Sequence, residues 1–173
     1  MVTLVSYDLM LHKNEYVQMS RDYMIWVLDE LDAHFGINSR SYIEMLFDEW
    51  LEGIVDPFEK LVPPNGSLYM AMINDEVGGM GAIKKLSHTV GEIKRMYNKP
   101  EYRGLGIGRA MINQLLSDGR QFGCKKFKLD TPKFSIAAQN LYKSIGFVES
   151  EKYPESEIPP FFQDYWVFMV KND

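Results

Sequence analysis

Tyr102-Arg103-Gly104-Leu105-Gly106-Ile107-Gly108-Arg109 interleaves three glycines with small apolar residues and runs straight into an amphipathic helical pattern. A stretch with few Cβ atoms lets backbone N–H groups converge on an anion. The first turn of the following helix adds unpaired donors and the positive end of its dipole. The amides of Leu105, Gly106, Ile107, Gly108 and Arg109 are therefore the candidate cradle for a phosphate, with Arg103 as a nearby cation. The rival reading is a flexible turn without a ligand. Upstream, Glu92-Ile93-Lys94-Arg95-Met96-Tyr97 has the character of a strand, so the local order is strand, glycine-rich turn, helix. No Gly-Lys-Ser/Thr follows the glycines, which excludes a P-loop.

Outward from this stretch the periodicities are readable. Met111, Ile112, Leu115 and Leu116 form an apolar stripe, closed by Gly119 or Gly123. Residues 126–130 alternate with period two and predict a strand. Pro132 then interrupts, Ser135 can cap, and Ala138, Leu141, Tyr142 and Ile145 fall on one helical face that Gly146 ends. Residues 67–73 and 77–84 predict a hairpin joined by Asn74-Asp75-Glu76, with Gly78, Gly79 and Gly81 suited to a bulge or a close backbone approach. Residues 2–6 open with a β-prone run. A helix is expected over 14–35 with Gly36 as its stop, and a second from the capping-box pattern at Ser41 to Ile54. The Pro- and Glu-rich residues 150–163 read as a loop too polar for the core, and 165–170 as a final strand. The expected class is α/β in the α+β sense: a mixed, mostly antiparallel sheet of about six or seven strands with helices on both faces, in one domain over 1–173.

Composition narrows the function. With 46% hydrophobic and 25% charged residues the chain is ordinary for a globular protein, and 173 residues suffice for one core. The net charge of −5 argues against non-specific nucleic-acid binding. Residues 1–60 hold 4 Lys+Arg and 12 Asp+Glu, leaving 15 and 12 for residues 61–173, so the part with the glycine loop is the basic one. An acidic part that faced a pocket would favour a cationic amine. Cys124 is the single cysteine, which suits a reducing compartment, and its context is that of a small buried hydrophobe. His12, His34 and His88 are scattered, so no metal site is expected. No run approaches about 18 apolar residues and no signal pattern opens the chain, which predicts a cytoplasmic protein without a membrane segment.

Asn140-Leu141-Tyr142-Lys143-Ser144-Ile145-Gly146-Phe147 supplies a second motif. Together with Arg103-Gly104-Leu105-Gly106-Ile107-Gly108 it resembles the paired signatures of the GNAT N-acetyltransferase superfamily, in particular compact bacterial-type members. The resemblance covers roughly residues 65 to 150 well. It implies acetyl-CoA as the cofactor, with the diphosphate on the glycine loop and the pantetheine arm along Met96, Tyr97 and Asn98 like an added strand. It implies that the Met96 N–H polarises the thioester carbonyl, that Glu92 acts as base through water, and that Tyr142 is the general acid for the leaving thiolate. Asp130 is the alternative base. Ser135 stands where the family often has Asn, which alters a cofactor contact. The acceptor would be a primary amine of a small molecule or peptide, attacking directly in a ternary complex, in a monomer or homodimer. Two other readings stay open: a non-catalytic acyl-CoA-binding sensor, and a Rossmann-type nucleotide domain in which Asp130 would be the acidic residue beyond the glycines.

Overall fold

A computed structural model describes residues 1–39 and 61–173. The helix expected over Ser41 to Ile54 lies outside the described residues. The chain opens with β1 (Val2–Ser6) and α1 (Leu9–Phe35), followed by β2 (Gly66–Ile73), β3 (Glu76–Lys85) and β4 (Val90–Asn98). Then come α2 (Ile107–Gln121), β5 (Lys126–Pro132), α3 (Ile136–Ser144), β6 (Val148–Ser150) and β7 (Trp166–Asn172). Among the described residues the strands form one seven-stranded sheet in the order β1-β2-β3-β4-β5-β7-β6. Every pairing is antiparallel except β4 with β5. The expected class is therefore the observed one.

The β2–β3 hairpin turns at Asn74 and Asp75, both at positive φ (48° and 69°), the left-handed backbone that a tight two-residue turn needs and that Asn and Asp tolerate. The parallel pair decides the shape of the sheet. Val90, Gly91 and Glu92 pair with Lys126, Phe127 and Lys128 and no further rung follows, although β4 continues to Asn98 and β5 to Pro132. Beyond Glu92 the two strands splay. On its other side β4 stays with β3 but carries a bulge, because Ala82 pairs with Lys94 and Met80 with Tyr97, leaving Gly81 opposite Arg95 and Met96. Arg95 takes up the bulge at φ 56°.

Helices cover both faces. α2 and α3 bury Met111, Ile112, Leu115 and Tyr142 against Ile83, Ile93, Phe127 and Leu129. α1 lies on the opposite face and crosses the split. Tyr16 and Met19 in its first half pack on Leu68, Met70, Met80 and Tyr97, whereas Val27 and Leu31 in its second half pack on Tyr153, Phe162, Trp166 and Phe168. One helix thus ties the β2–β4 half to the β7 half.

Four sequence expectations need correction. α1 starts at Leu9, not near 14, because Asp8 caps it by accepting from the Met10 and Leu11 amides at 2.8 and 3.0 Å. Leu9, Met10 and Leu11 in that first turn are exposed, which hid it from the apolar period. β5 runs through Pro132, which occupies the strand's last rung, opposite Trp166. Gly119 does not close α2. It lies inside the helix, and Gly123 at φ 90° follows the helix end. The segment over 150–163 is not merely a polar loop, since it buries Tyr153 and Phe162 in the core beneath α1.

Gly119 is where α2 meets the sheet. A Cβ there would stand 2.5 Å from Phe127 Cε1 and 2.6 Å from Ile83 Cδ1. Alanine's better helix propensity is worth about 1 kcal/mol, but forcing a methyl into a packed interface costs about 1–3 kcal/mol. Gly119→Ala is expected to lower the urea midpoint with an unchanged slope; a raised midpoint would contradict this packing.

Candidate active site

The glycine loop leaves β4 through a short 3-10 turn, Pro100–Tyr102, whose Tyr102 hydroxyl donates to Glu76 in the β2–β3 turn. Gly104 and Gly106 sit at φ 80° and 82°, and a Cβ on either would meet nothing within 4 Å. Their requirement is therefore conformational rather than steric. Gly106 is the N-cap of α2, gives no side-chain capping bond, and no acidic residue follows in the first turn. Ala110 supplies the first N–H returned to the helix, to Gly106 O at 3.0 Å, so the amides of Gly106, Ile107, Gly108 and Arg109 have no intrahelical partner. Gly108 allows close approach: a Cβ would lie 3.1 Å from Leu141 of α3 and 3.6 Å from Asn98 Nδ2. The loop, the end of β4 and α3 thus meet at the mouth of the split.

The two arginines of the loop have protein partners. Arg109 donates to Ser144 Oγ at 2.8 Å, tying the start of α2 to the end of α3. The Arg103 guanidinium stacks 4.9 Å from the Trp26 ring centre, and its Nε donates to Asn98 O at 3.4 Å. Arg103 therefore links the loop to α1. Ser135 is the N-cap residue of α3 without a side-chain capping bond, which leaves its hydroxyl uncommitted to the helix.

Inside the split, Met96 packs on the α2 face and Tyr97 on the α1 face, where it meets Tyr23 at 5.5 Å between ring centres. Trp26 stands edge-on to Phe134, at 5.4 Å. Tyr142 is 5% exposed; burial pushes its phenol well above the ordinary range, and the nearby Asp130 carboxylate pushes it further. It stays protonated at neutral pH.

Glu92 is on the α1 face of β4 and only 2% exposed. It lies 3.1 Å from Tyr153 Oη and 3.5 Å from Lys94 Nζ. Asp130, on the neighbouring strand, also lies 3.1 Å from Tyr153 Oη and accepts from Ser156 Oγ at 2.8 Å. Burial raises both carboxyls above the usual range. Asp130 raises Glu92 further and the Lys94 ammonium opposes it, while the Ser156 and Tyr153 hydroxyls and Lys94 oppose the rise of Asp130. The structure thus joins Glu92 and Asp130, the two alternative bases, in one cluster, and joins Met96–Asn98, the glycine loop and α3 in another. Asp130 lies in electrostatic reach of Tyr142 and Tyr23, which connects the two.

The Acetyltransferase (GNAT) family model matches residues 26–147, more than half of the chain. An uncharacterised N-acetyltransferase of Schizosaccharomyces pombe is 31% identical over 123 residues, 68% of this chain and 73% of that protein. The chain belongs to the GNAT acetyltransferase family. Among solved structures, the PaiA N-acetyltransferase of Thermoplasma acidophilum in complex with coenzyme A superposes with a TM-score of 0.76 at 17% identity, over 100% of this chain and 99% of that one. A GNAT acetyltransferase of Elizabethkingia anophelis with acetyl-CoA bound gives 0.52 at 18% identity, over 68% and 83%. Both share the fold.

Tyr153, Ser156 and Tyr23 of this GNAT chain escaped the sequence reading. The signal for Tyr153 was an isolated tyrosine in a Pro/Glu-rich segment whose other aromatics, Phe161 and Phe162, lie eight and nine residues on, a spacing that periodicity does not interpret. Among the described residues no group of His, Cys, Asp and Glu is arranged to hold a metal ion. No described helix is long and apolar enough to cross a membrane.

The buried carboxyls set a pH dependence. A carboxyl whose folded pKa lies above its unfolded one keeps its full contribution below the unfolded value and loses it as pH rises through the folded value. The penalty of burying the Glu92 charge is therefore felt on the alkaline side. Glu92→Gln, which can keep the bond to Tyr153, should match the wild-type melting temperature at about pH 4 and exceed it at about pH 8. A variant that loses ground as pH rises would contradict the raised value.

Proposed function

We propose that the chain transfers an acetyl group from acetyl-CoA to a primary amine of a small molecule or peptide by direct attack in a ternary complex. Family membership supports acetyl transfer in general. The observation that carries the finer reading is the conjunction of the β4–β5 split with an uncapped, glycine-opened helix start at its mouth. Coenzyme A has a doubly charged diphosphate attached to a long amide-bearing arm, and these two features complement it. The amides of Leu105 to Arg109 would hold the diphosphate. The unpaired edge of β4 at Met96, Tyr97 and Asn98 would take the arm's amides as an added strand. Gly104, Ser135 and Arg103 complete the rim, Arg103 by leaving Trp26 for the anion or by fixing α1 over it.

The acceptor arrives mostly protonated, because an alkylamine has a pKa of about 10.4 and only roughly one molecule in a thousand is free at neutral pH. Glu92 takes that proton through water. The Met96 N–H, aimed by the bulge, polarises the thioester carbonyl and binds the oxygen on which negative charge develops. Tyr142 gives a proton to the departing thiolate. The enclosure by Tyr23, Trp26, Tyr97 and Phe134 excludes water from the reacting atoms and strengthens each of these electrostatic contacts.

Two variants test the reading. Gly106→Glu places a carboxylate where the diphosphate would sit, and calorimetry should show acetyl-CoA affinity falling by about tenfold or more. Tyr142→Phe should lower turnover by roughly a hundredfold while cofactor affinity stays within about twofold. Unchanged affinity in the first or unchanged turnover in the second would refute the corresponding role. Tight acetyl-CoA binding without thiol release across amines, polyamines, amino acids, aminoglycosides and peptides would instead identify a sensor.

A further inference from the structure

One phenol oxygen serves a buried carboxyl and a half-buried one. Tyr153 Oη lies 3.1 Å from Glu92 Oε1 and 3.1 Å from Asp130 Oδ2. A phenol has a single hydrogen to donate, and an ionised carboxylate only accepts. If both carboxyls were ionised, one of the two contacts would set bare oxygen lone pairs against each other in a site screened from water. The contact becomes a hydrogen bond when one carboxyl carries a proton and gives it to the phenol oxygen. Ser156 does not supply that hydrogen, because its hydroxyl is directed at Asp130 Oδ2 at 2.8 Å, while its oxygen accepts the Ile158 N–H at 3.2 Å.

We propose that Glu92 and Asp130 hold one proton between them through the Tyr153 phenol, and that Tyr153 and Asp130 are thereby positioning residues for Glu92 as the base that deprotonates the amine. The role in catalysis rests on the acetyltransferase reading; the shared proton does not.

Lys94 of β4 faces Glu92 at 3.5 Å and Glu157 at 2.6 Å, and Lys84 of β3 holds Glu157 at 3.1 Å. Lys128 of β5 pairs with Glu155 at 3.1 Å and lies 4.8 Å from the centre of the Tyr153 ring. From α1 and α3 the facing groups are the Tyr23 and Tyr142 phenols, both neutral. Lys84, Lys94 and Lys128, with Lys126 in electrostatic reach of Glu155, thus surround Glu92, Asp130, Glu155 and Glu157. Glu155 is held ionised by a backbone hydrogen bond and by Lys128, and Glu157 by Lys94 and Lys84, so a retained proton falls to Glu92 and Asp130, whose charged forms burial disfavours.

Such a pair is poised to take a second proton. The ammonium N–H bond breaks, its proton passes through water to the pair, and the freed lone pair forms the N–C bond as the C–S bond breaks. One of the two protons remaining on nitrogen reaches the thiolate sulfur by way of Tyr142, and the other stays in the amide. The pair returns its second proton to solvent, so ammonium and thioester become amide, thiol and one released proton.

The test has two readouts on the full chain. Carbon-13 NMR of the labelled Asp and Glu carboxyls, assigned with Glu92→Gln and Asp130→Asn, should show Glu92 and Asp130 titrating in two separated steps, each step visible at both carbons. Two carbons that titrate independently in the ordinary carboxylate range would overturn the shared proton. The pH profile of kcat then separates positioning from scaffolding. Tyr153→Phe removes a bond that favours the ionised base, so the ascending limb should move to higher pH. Asp130→Asn removes a charge that disfavours the ionised base, so the limb should move to lower pH. Each should cut kcat by about tenfold while KM for acetyl-CoA stays within about twofold. Tyr153→Phe keeps the ring against Phe168 and so keeps the fold. Equal losses without opposite displacements would overturn the positioning role. A wild-type chain that acetylated no amine would remove the transferase reading and the role with it, and the carboxyl titration would still decide the shared proton.

Discussion

The parallel contact between β4 and β5 stops after Glu92 and Lys128, and the rest of the molecule is arranged around that stop. A strand edge that loses its neighbour exposes N–H and C=O groups that must find other partners. Here the split is framed on every side. The bulge at Arg95 and Met96 turns β4 away from its straight course while β3 still holds it. β5 stays straight because β7 pairs with it from Lys126 to Pro132. α2 begins at the mouth with its amides unspent, and α1 bridges the two half-sheets from the other face. A slot with a peptide-like wall and an anion-seeking end is a physical description of what coenzyme A fits.

The second organising feature is polar. Burying Glu92 and Asp130 costs stability, and the nest of lysines and hydroxyls around them offsets only part of it. Such a cost is characteristic of groups kept for chemistry rather than for folding. The segment over 150–163 is what makes the burial possible: Tyr153 and Ser156 bond to the carboxyls from above, while Glu155 and Glu157 pin the segment to Lys128, Lys94 and Lys84. The connection between β6 and β7 is thus part of the site rather than a passive link.

Much of this was legible in the sequence because the signals were local. Three glycines before an apolar stripe fix a turn and a helix start, Asn74-Asp75 between two strand-like runs fixes the β2–β3 hairpin, and a period-two run fixes β5. What stayed hidden is tertiary. The first turn of α1 carries its apolar residues outward, so no periodicity betrayed it. Gly119 looked like a helix stop, yet its meaning lies in the Phe127 and Ile83 side chains pressing on it. Arg103 read as a phosphate ligand, and in the fold its guanidinium rests on Trp26, about 80 residues earlier in the chain. Tyr153 acquires its significance only when Glu92 and Asp130 arrive from two strands.

The central claim, that the split and the glycine loop together hold acetyl-CoA, is most directly tested by amide hydrogen exchange with and without acetyl-CoA. The account predicts slowed exchange confined to the β4 amides around Met96 to Asn98 and to the amides of Leu105 to Arg109. Protection elsewhere with no change at these two segments would contradict it.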